Sequence, residues 1–372
     1  MKKGLAVFTA TAMAFALTAC GGSGNQTAST TAAESKTADS SAAAPATNED
    51  VLAADVNLDN PSTQGSEVTL SLNHVGSTTH PYQYGVGKFA QLANAYTDGA
   101  VGVTIYPASQ IASGAKAVEA VQLGTLDMCL ESTMALENFV PEIGVLNLPF
   151  IFSDKNEAYT VLDGDYGEEL KQYAESQGFK VLCWMDNGFR DISNNVRPIT
   201  SPDDMKGLKM RTPESSVFID TFEQLGATAT AMATSELFSA MQLGTVDGQE
   251  NATSTFVNNK YYEVNKYYSI THHIYTAEPL IISLDKWNSL SDDQKTAIQK
   301  AADEACAYQR EVSDSQAADL LQQVKDNGCE VNELTLEATE AFKQAVEPIY
   351  TKYEANYGEL IQKVRDAVAA VK

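Results

Sequence analysis

An arginine at the end of a short apolar strand is the residue best placed in this sequence to bind an anion. Arg211 ends the run 208–211 and lies two residues before Pro213, which turns the chain. A guanidinium at the carboxyl end of a strand can hold a carboxylate through two parallel, charge-assisted hydrogen bonds. The alternative is an ordinary surface salt bridge, and the pattern taken alone favours that alternative.

The histidines do not show the spacing of a metal or catalytic site. The sequence contains His74, His80, His272 and His273, and none has a partner three or four residues away, as a helical metal pair requires. The GxSxG, HExxH, Walker and GxGxxG motifs are also absent. We therefore predict no enzymatic activity, no metal ion and no cofactor. His80 precedes Pro81 in a loop after the first strand, where loops of α/β sheets face a ligand cleft.

Strand and helix patterns alternate along the chain and predict an α/β fold with a largely parallel sheet. The predicted strands are 68–73, 101–106, 127–130, 180–185, 208–211, 267–273 and 279–283. The predicted helices are 83–96, 116–124, 156–177, 215–225 and 235–243. The chain after residue 65 is long enough for two lobes. We predict one lobe from 66–188 with about 277–316, and the other from 189–276 with about 317–372.

A further helix is predicted to be much longer than the others. Ser291 is a typical N-cap residue, acidic residues follow it, and Gly328 is a typical stop. The intervening stretch of about 35 residues would extend about 50 Å as a helix. Because this exceeds the diameter of one small lobe, we expect the helix to cross both lobes or to kink between them.

The N-terminus has the features of an export signal. Lys2 and Lys3 precede an apolar stretch that is too short to span a bilayer, and Cys20 follows directly after it. This order resembles a bacterial lipobox and predicts a signal peptide at 1–19 and lipidation of Cys20. An ordinary signal peptide with a coincidental cysteine is the alternative. Residues 20–65 lack aromatic side chains and predict a disordered tether, whose length favours a Gram-positive surface.

The charge and the remaining cysteines limit the other partners. The full chain has a formal net charge of −24, and loss of Lys2 and Lys3 with the signal peptide would leave −26. Such acidity argues against nucleic acid as a partner. Four cysteines remain after Cys20. Cys129 and Cys183 lie in apolar runs typical of free thiols, whereas spacing leaves a Cys306–Cys329 disulfide open.

Several ordered segments together resemble one protein family, the solute-binding subunits of TRAP (tripartite ATP-independent periplasmic) transporters, or DctP family. The similarity covers about residue 68 to the C-terminus. The segments that carry it are 89–92, 106–107, 121–128, 148–152, Arg190, 206–211, 244–251 and 258–269. The resemblance implies a two-lobed fold like that of periplasmic binding proteins, with a hinge, a ligand cleft between the lobes and the long helix crossing both.

The resemblance also implies roles for individual residues. Arg211 corresponds to the carboxylate-binding arginine of the family, Arg190 to a second arginine that can reach the ligand, and Asn251 to an amide at the cleft. Glu131 falls where a polar ligand contact is common, with a solvated helix cap as the alternative. Asp247 and Gly248 are expected to shape the turn that presents Asn251.

Departures from the family pattern bear on the ligand. Glu214 stands where sialic-acid binders have Asn, and Thr234 where many members have Phe or Trp. The segment 107–112 reads Pro-Ala-Ser-Gln-Ile-Ala, where the family usually has Pro-x-Gly-Gln-Leu-Gly. A threonine suits a polyhydroxylated ligand better than an apolar one. With His74 and His80 as further polar candidates, we favour a sugar acid such as a uronate, and a C4-dicarboxylate remains open.

The resemblance implies transport as the function. We expect an extracytoplasmic lipoprotein, monomeric and anchored through Cys20 to the outer face of the cell membrane, that closes on an organic acid and delivers it to the TRAP permease subunits. Two other functions remain open at this point. They are a secreted lipoprotein enzyme, which would need a nucleophile–base pair or a metal site, and an adhesion or structural lipoprotein, which would not close on a ligand.

Overall fold

The computed structural model describes residues 63–371. The predicted signal peptide at 1–19, the lipidation site Cys20 and the predicted tether up to residue 62 lie outside the described residues.

Within residues 63–371, nine strands form a single mixed sheet. Its order is β2-β1-β3-β8-β4-β7-β5-β6, and β9 pairs with β8 beside this path. The strands are β1 (Val68–His74), β2 (Val101–Tyr106), β3 (Met128–Leu130), β4 (Phe179–Asn194), β5 (Lys209–Thr212), β6 (Thr228–Ala231), β7 (Gly248–Ala252), β8 (Tyr267–Ser283) and β9 (Glu330–Glu333).

The centre of the sheet is antiparallel, whereas both of its wings are parallel. β1 pairs in parallel with β2 and β3, and β5 pairs in parallel with β6 and β7. Between the wings, β4 and β8 run antiparallel to each other along most of their length. The α/β class is therefore confirmed, but the prediction of a largely parallel sheet is wrong for the centre. Period and composition identify strands without giving their relative direction.

The two central strands are longer than predicted. β4 continues nine residues beyond the predicted end at 185, and β8 joins the predicted strands 267–273 and 279–283 into one. The pairing of β4 with β8 shifts register at three bulges, one of them between Asp186 and Gly188. Gly188 has φ +102°, a conformation that glycine adopts without a steric penalty. These irregularities therefore lie in the two strands that join the wings of the sheet within residues 63–371.

The helices cover the two faces of the sheet. They are α1 (Pro81–Tyr96), α2 (Ala115–Gln122), α3 (Thr133–Leu136), α4 (Lys155–Asp163), α5 (Asp165–Ser176), α6 (Ser216–Gln224), α7 (Thr234–Gln242), α8 (Thr253–Asn258), α9 (Leu284–Ser289), α10 (Asp292–Asp326), α11 (Leu336–Tyr357) and α12 (Glu359–Val371). Gly164 separates α4 from α5, where one helix was predicted. No helix in the described part of the chain is both long and apolar enough to span a membrane.

The predicted long helix is present as α10, with 35 residues. Ser291 and Gln294 form a capping box at its start, in which each side chain bonds the backbone of the other residue. The helix packs against α1 and β4, and also against α8 and β9. It therefore contacts elements of both predicted lobes, as its length suggested.

The last helix packs on the first half of the chain. α12 contacts α4 and α5, and its buried residue Val364 belongs to the same apolar cluster as Leu170. The sequence placed 359–371 in the second lobe. The lobe boundaries stay a proposal, and this packing favours moving α12 to the first lobe.

All four cysteines of the described residues are free. Cys306 lies in the apolar cluster under α1 and Cys329 in a separate cluster near β9. The Cys306 thiol lies 3.0 Å from the Trp184 carbonyl oxygen, and the Cys329 thiol 3.3 Å from that of Asn265. The disulfide left open by the spacing is not formed, because Cys306 lies within α10 and Cys329 lies after its end, in a different part of the core.

Candidate ligand-binding cleft

One cavity gathers most of the residues singled out in the sequence. It encloses about 700 Å³ of space, including space open to solvent, where residues after β1, β3, β5, β6 and β7 come together. Seven of the residues predicted to bind the ligand line this cavity: His80, Glu131, Arg190, Arg211, Glu214, Thr234 and Asn251. No group of three or more His, Cys, Asp or Glu that could hold a metal ion occurs within residues 63–371.

Arg211 on β5 is a buried cation whose contacts are to uncharged groups. Its side chain is held by the Met232 carbonyl, which accepts from Nε at 3.0 Å and from Nη2 at 2.7 Å, and by Thr234 Oγ1 at 3.4 Å. The residue is only 2% exposed, and no carboxylate among the described residues pairs with it. Burial lowers the pKa of the Arg211 guanidinium. A buried cation of this kind is stabilised when an anion enters.

Arg190 on β4 lines the same cavity but already has a counter-ion. Its Nε and Nη2 donate to both carboxylate oxygens of Glu250 on β7, and Nη2 also donates to the Glu250 carbonyl. His273 Nε2 lies 3.4 Å from Glu250 Oε2. The Arg190 charge keeps the pKa of Glu250 below its usual value despite burial. The two arginines therefore differ, because one is neutralised by the protein and the other is not.

Asn251 directs an amide toward the cavity from the neighbouring strand. Its Oδ1 accepts from the backbone N–H of Ala252 at 3.1 Å, which leaves the amide nitrogen as a donor. The strand lies unusually close to β4, since a Cβ on Gly248 would be 2.2 Å from the Ser193 carbonyl oxygen. Asp247 Oδ2 accepts from the Lys209 N–H at 2.8 Å and ties the start of β7 to β5.

Two carboxyl groups face the cavity from β3 and β8. Glu131 is buried rather than a solvated helix cap, and its Oε1 accepts from the Gly114 N–H at 3.1 Å. Burial and the neighbouring Glu278 raise the pKa of Glu131 well above its usual range. Glu278 was not singled out in the sequence. Glu278 is the only acidic residue in β8, next to the apolar run 279–282, and this was the signal that could have identified it.

His80 and His74 have different positions. His80 is the N-cap of α1, where Nδ1 accepts from the Tyr82 N–H at 3.2 Å and Nε2 lies 3.4 Å from Thr255 Oγ1. Burial lowers the pKa of His80 to about 3, so the ring is neutral. His74 does not line the cavity. It is fully buried against α1 and its Nε2 donates to Gln83 Oε1 at 2.8 Å, because the end of β1 directs it under the helix.

The remaining predicted residues lie on the β5 and β6 side. Glu214 follows β5, and its carbonyl accepts from Asn138 Nδ2 at 3.2 Å. Its carboxylate lies close to Gly114 on the opposite wall, where a Cβ would be 3.5 Å from Glu214 Oε2. Thr234 begins α7 and accepts from Arg211.

Hydrogen bonds also join the two wings next to residues that line the cavity. The loop before α1 reaches α8, where Asn258 Oδ1 accepts from Thr79 Oγ1 at 2.7 Å and from Ser77 Oγ at 3.2 Å. These residues come from opposite wings of the sheet. The structure is therefore that of a cleft whose rims are in contact.

A buried cleft with an unpaired cation, built on two wings of one sheet, is the architecture of a protein that encloses a small acid. The family model for bacterial extracellular solute-binding protein, family 7 (DctP), matches residues 72–356. The chain belongs to this family, the solute-binding proteins of TRAP transporters, so the resemblance seen in the sequence is confirmed. Members are extracytoplasmic, two-lobed transport proteins that work with membrane permeases and are not enzymes.

Three relatives illustrate the similarity. The C4-dicarboxylate-binding periplasmic protein DctP of Rhodobacter capsulatus is 35% identical over 81% of this chain and 91% of its own. A TRAP solute-binding protein from Polaromonas sp. JS666, solved with D-erythronate, has TM-score 0.78 and 34% identity, covering 80% and 98% of the two chains. The sugar acid binding protein of Advenella mimigardefordensis, solved with galactonate, has TM-score 0.80 and 31% identity, covering 82% and 98%.

Proposed function

We propose that this chain is the solute-binding lipoprotein of a TRAP transporter and captures a sugar acid, such as a uronate, for delivery to the permease subunits. The observation that carries the proposal is Arg211, a buried guanidinium in the cleft with no carboxylate partner among the described residues. Burial of the ligand carboxylate is favourable only when it is paired, and Arg211 supplies the pair. Arg190, Asn251, Glu131, Glu214, Thr234 and His80 would surround the rest of the ligand.

Hinged closure is the proposed mechanism of capture. β4 and β8 connect the two wings and carry bulges near the cavity, which are suited to absorb bending. The bonds of Asn258 to Ser77 and Thr79 would form when the cleft closes and break when it opens. The bound acid would then be removed from water, and the closed form would dock on the permease.

The charges in the wall favour one carboxylate over two. Arg190 is neutralised by Glu250, so Arg211 remains as the cation available to a ligand. A second carboxylate would find no second free cation in the lining of the cleft. Hydroxyl groups, in contrast, find an amide at Asn251 and neutral donors and acceptors at His80 and Thr255. The relatives solved with erythronate and galactonate support the same choice.

A C4-dicarboxylate is the second candidate, because the Rhodobacter capsulatus relative carries that name. The two ligand classes differ in their hydroxyl groups, which a sugar acid has and succinate lacks. A site built to hydrogen-bond hydroxyl groups discriminates strongly against an analogue that lacks them, since its own polar groups are then left unpaired. Comparison of D-glucuronate and D-galactonate with succinate therefore separates the two.

Membrane attachment belongs to the same proposal. Cys20 would carry the lipid, residues 20–65 would form the tether, and the monomeric binding protein would stay on the outer face of the cell membrane of a Gram-positive bacterium. The position of the cysteine directly after the apolar stretch supports this assignment.

The test is isothermal titration calorimetry with D-glucuronate, D-galactonate and succinate. We expect a sugar acid to bind the wild type more tightly than succinate. Loss of a buried charge partner costs about 2–5 kcal/mol, so R211A should weaken binding at least about 30-fold. R365A is the matched control, because Arg365 is exposed and packs on Tyr350 outside the cleft. Equal affinity in R211A and R365A would refute the carboxylate assignment.

A further inference from the structure

Glu278 has one carboxylate oxygen with no partner in the protein. The residue is 2% exposed and lines the cleft, the Tyr82 hydroxyl hydrogen-bonds its carboxyl, and the Oε2 atom has no hydrogen-bond partner. A buried polar atom without a partner is rare in folded proteins, because it loses its bonds to water without replacing them. The space that borders this carboxyl is the ligand cavity.

We propose that Glu278 is a specificity-determining residue that holds its carboxyl proton at neutral pH and donates it to an oxygen atom of the bound acid. This inference rests on the proposed function, since it uses the same cleft and the acid held by Arg211. A carboxylate can only accept hydrogen bonds, whereas a protonated carboxyl group is also a donor. The ligand would therefore present a hydroxyl, keto or ring oxygen to Glu278, in addition to the carboxylate held by Arg211.

Burial, more than the charged groups around it, favours the protonated form of Glu278. The groups that interact with Glu278 are Arg190 and Asp186 on β4, Tyr82 on α1 and Glu131 after β3. The Tyr82 hydrogen bond and the Arg190 charge both favour the carboxylate form of Glu278, although the Arg190 guanidinium is already paired with Glu250. Burial outweighs both effects and raises the pKa of Glu278 to about 8.

Glu131 faces Glu278 from the segment after β3, and the Glu278 charge adds to burial in raising the pKa of Glu131. Its backbone N–H lies 3.4 Å from the Pro279 carbonyl oxygen, so the two glutamates occupy adjacent positions on paired strands. Two carboxyl groups at such positions resist simultaneous ionisation. The entry of an acid anion adds another negative charge, and a cleft with protonated carboxyl groups accepts that anion where an ionised one would repel it.

The proposal predicts that binding weakens when Glu278 ionises. If the Glu278 proton is required for binding, the affinity follows the fraction of protein in which Glu278 is protonated. The affinity of the wild type for D-galactonate or D-glucuronate should then fall about tenfold between pH 7 and pH 9. E278Q keeps an amide donor and cannot ionise. It should bind within about threefold of the wild type at pH 7 and keep that affinity at pH 9.

The experiment combines calorimetry at pH 6–9 with ¹³C NMR of the glutamate carboxyl carbons in the ligand-free protein. Wild type, E278Q, E131Q and the exposed control E340Q would be compared. A carboxyl resonance that titrates near pH 8 in the wild type and is missing in E278Q supports the proposal, together with loss of the pH dependence in that variant alone. Titration of Glu278 below pH 6, or an unchanged pH dependence in E278Q, overturns it.

Two further outcomes are distinguishable. If E131Q removes the pH dependence and E278Q does not, the donor is Glu131 and the assignment to Glu278 is wrong. If none of the three probe acids binds the wild type, the proposed ligand class fails, whereas the ligand-free titration still decides whether Glu278 carries a proton in the cleft.

Discussion

Arg190 and Glu250 form a buried ion pair between neighbouring strands, with the arginine Nε 2.5 Å from Glu250 Oε2. The pair removes Arg190 as a free cation although it lines the cleft. Arg211 is consequently the arginine whose charge a ligand can neutralise.

Glu250→Gln should destabilise the fold strongly. Removal of one partner from a buried ion pair leaves an uncompensated charge and costs about 3–5 kcal/mol. The free energy of unfolding is measured by urea denaturation. Glu168→Gln is the control, because its pair with Lys171 is more exposed and should contribute about 1 kcal/mol or less. Similar effects of the two substitutions would contradict the structural role of the buried pair.

The same E250Q variant should change ligand preference. Arg190 would then be a second unpaired cation in the cleft, able to hold a second carboxylate. We expect the affinity for succinate relative to D-galactonate to rise about tenfold, which corresponds to about 1.4 kcal/mol. Calorimetry of both acids measures the ratio. An unchanged ratio in a folded variant would show that the Arg190 charge does not limit dicarboxylate binding.

Gly248→Ala should separate β7 from β4. A Cβ at this position would lie 2.2 Å from the Ser193 carbonyl oxygen and cannot be accommodated without movement of the strand. Overpacking of this kind costs about 1–3 kcal/mol, and displacement of Asn251 should also weaken ligand binding. Gly124→Ala is the control, because its Cβ meets no atom within 4 Å and its cost comes only from a φ of +69°. Equal ligand affinity in the two variants would argue against Asn251 as a ligand contact.

His74→Asn should reduce acid sensitivity. Burial lowers the pKa of His74 from 6.5 to about 4, so between these values the unfolded chain binds a proton that the folded protein does not. Its contribution to stability is therefore lost as pH falls from about 6.5 towards 4. Urea denaturation at several pH values should show a shallower decline in the variant. His272→Asn, at an exposed position, should keep the wild-type decline; an identical profile for all three proteins would contradict this role of His74.

Cys20→Ser should release the protein from the membrane. Without the thiol no acyl chain can be attached at this position, and a flexible tether alone does not hold a protein to lipid. Mass spectrometry of the mature N-terminus and fractionation of cells measure the change. Cys183→Ser is the matched control and should leave attachment intact, whereas membrane association of C20S would point to a different anchor.

The sequence by itself determined much of the local structure and the family. The strand Val101–Tyr106 and the 35-residue helix α10 lie where alternation and capping residues placed them, because those signals act over short distances. The sequence also identified Arg211, Asn251 and five other residues that line one cavity in the structure. Their common location depends on the pairing of strands, since Arg190, Arg211 and Asn251 lie within β4, β5 and β7.

Relations between distant strands were decided only by the tertiary structure. The antiparallel pairing of β4 with β8, the neutralisation of Arg190 by Glu250 and the unpartnered oxygen of Glu278 all depend on segments that are 60 or more residues apart. Periodicity identifies which residues are buried, but not which residue each one faces. The charge state of a buried group depends on that neighbour. In the tertiary structure Arg190 faces the Glu250 carboxylate, whereas Arg211 faces the Met232 carbonyl, and so Arg211 is the cation that has no counter-ion among the described residues.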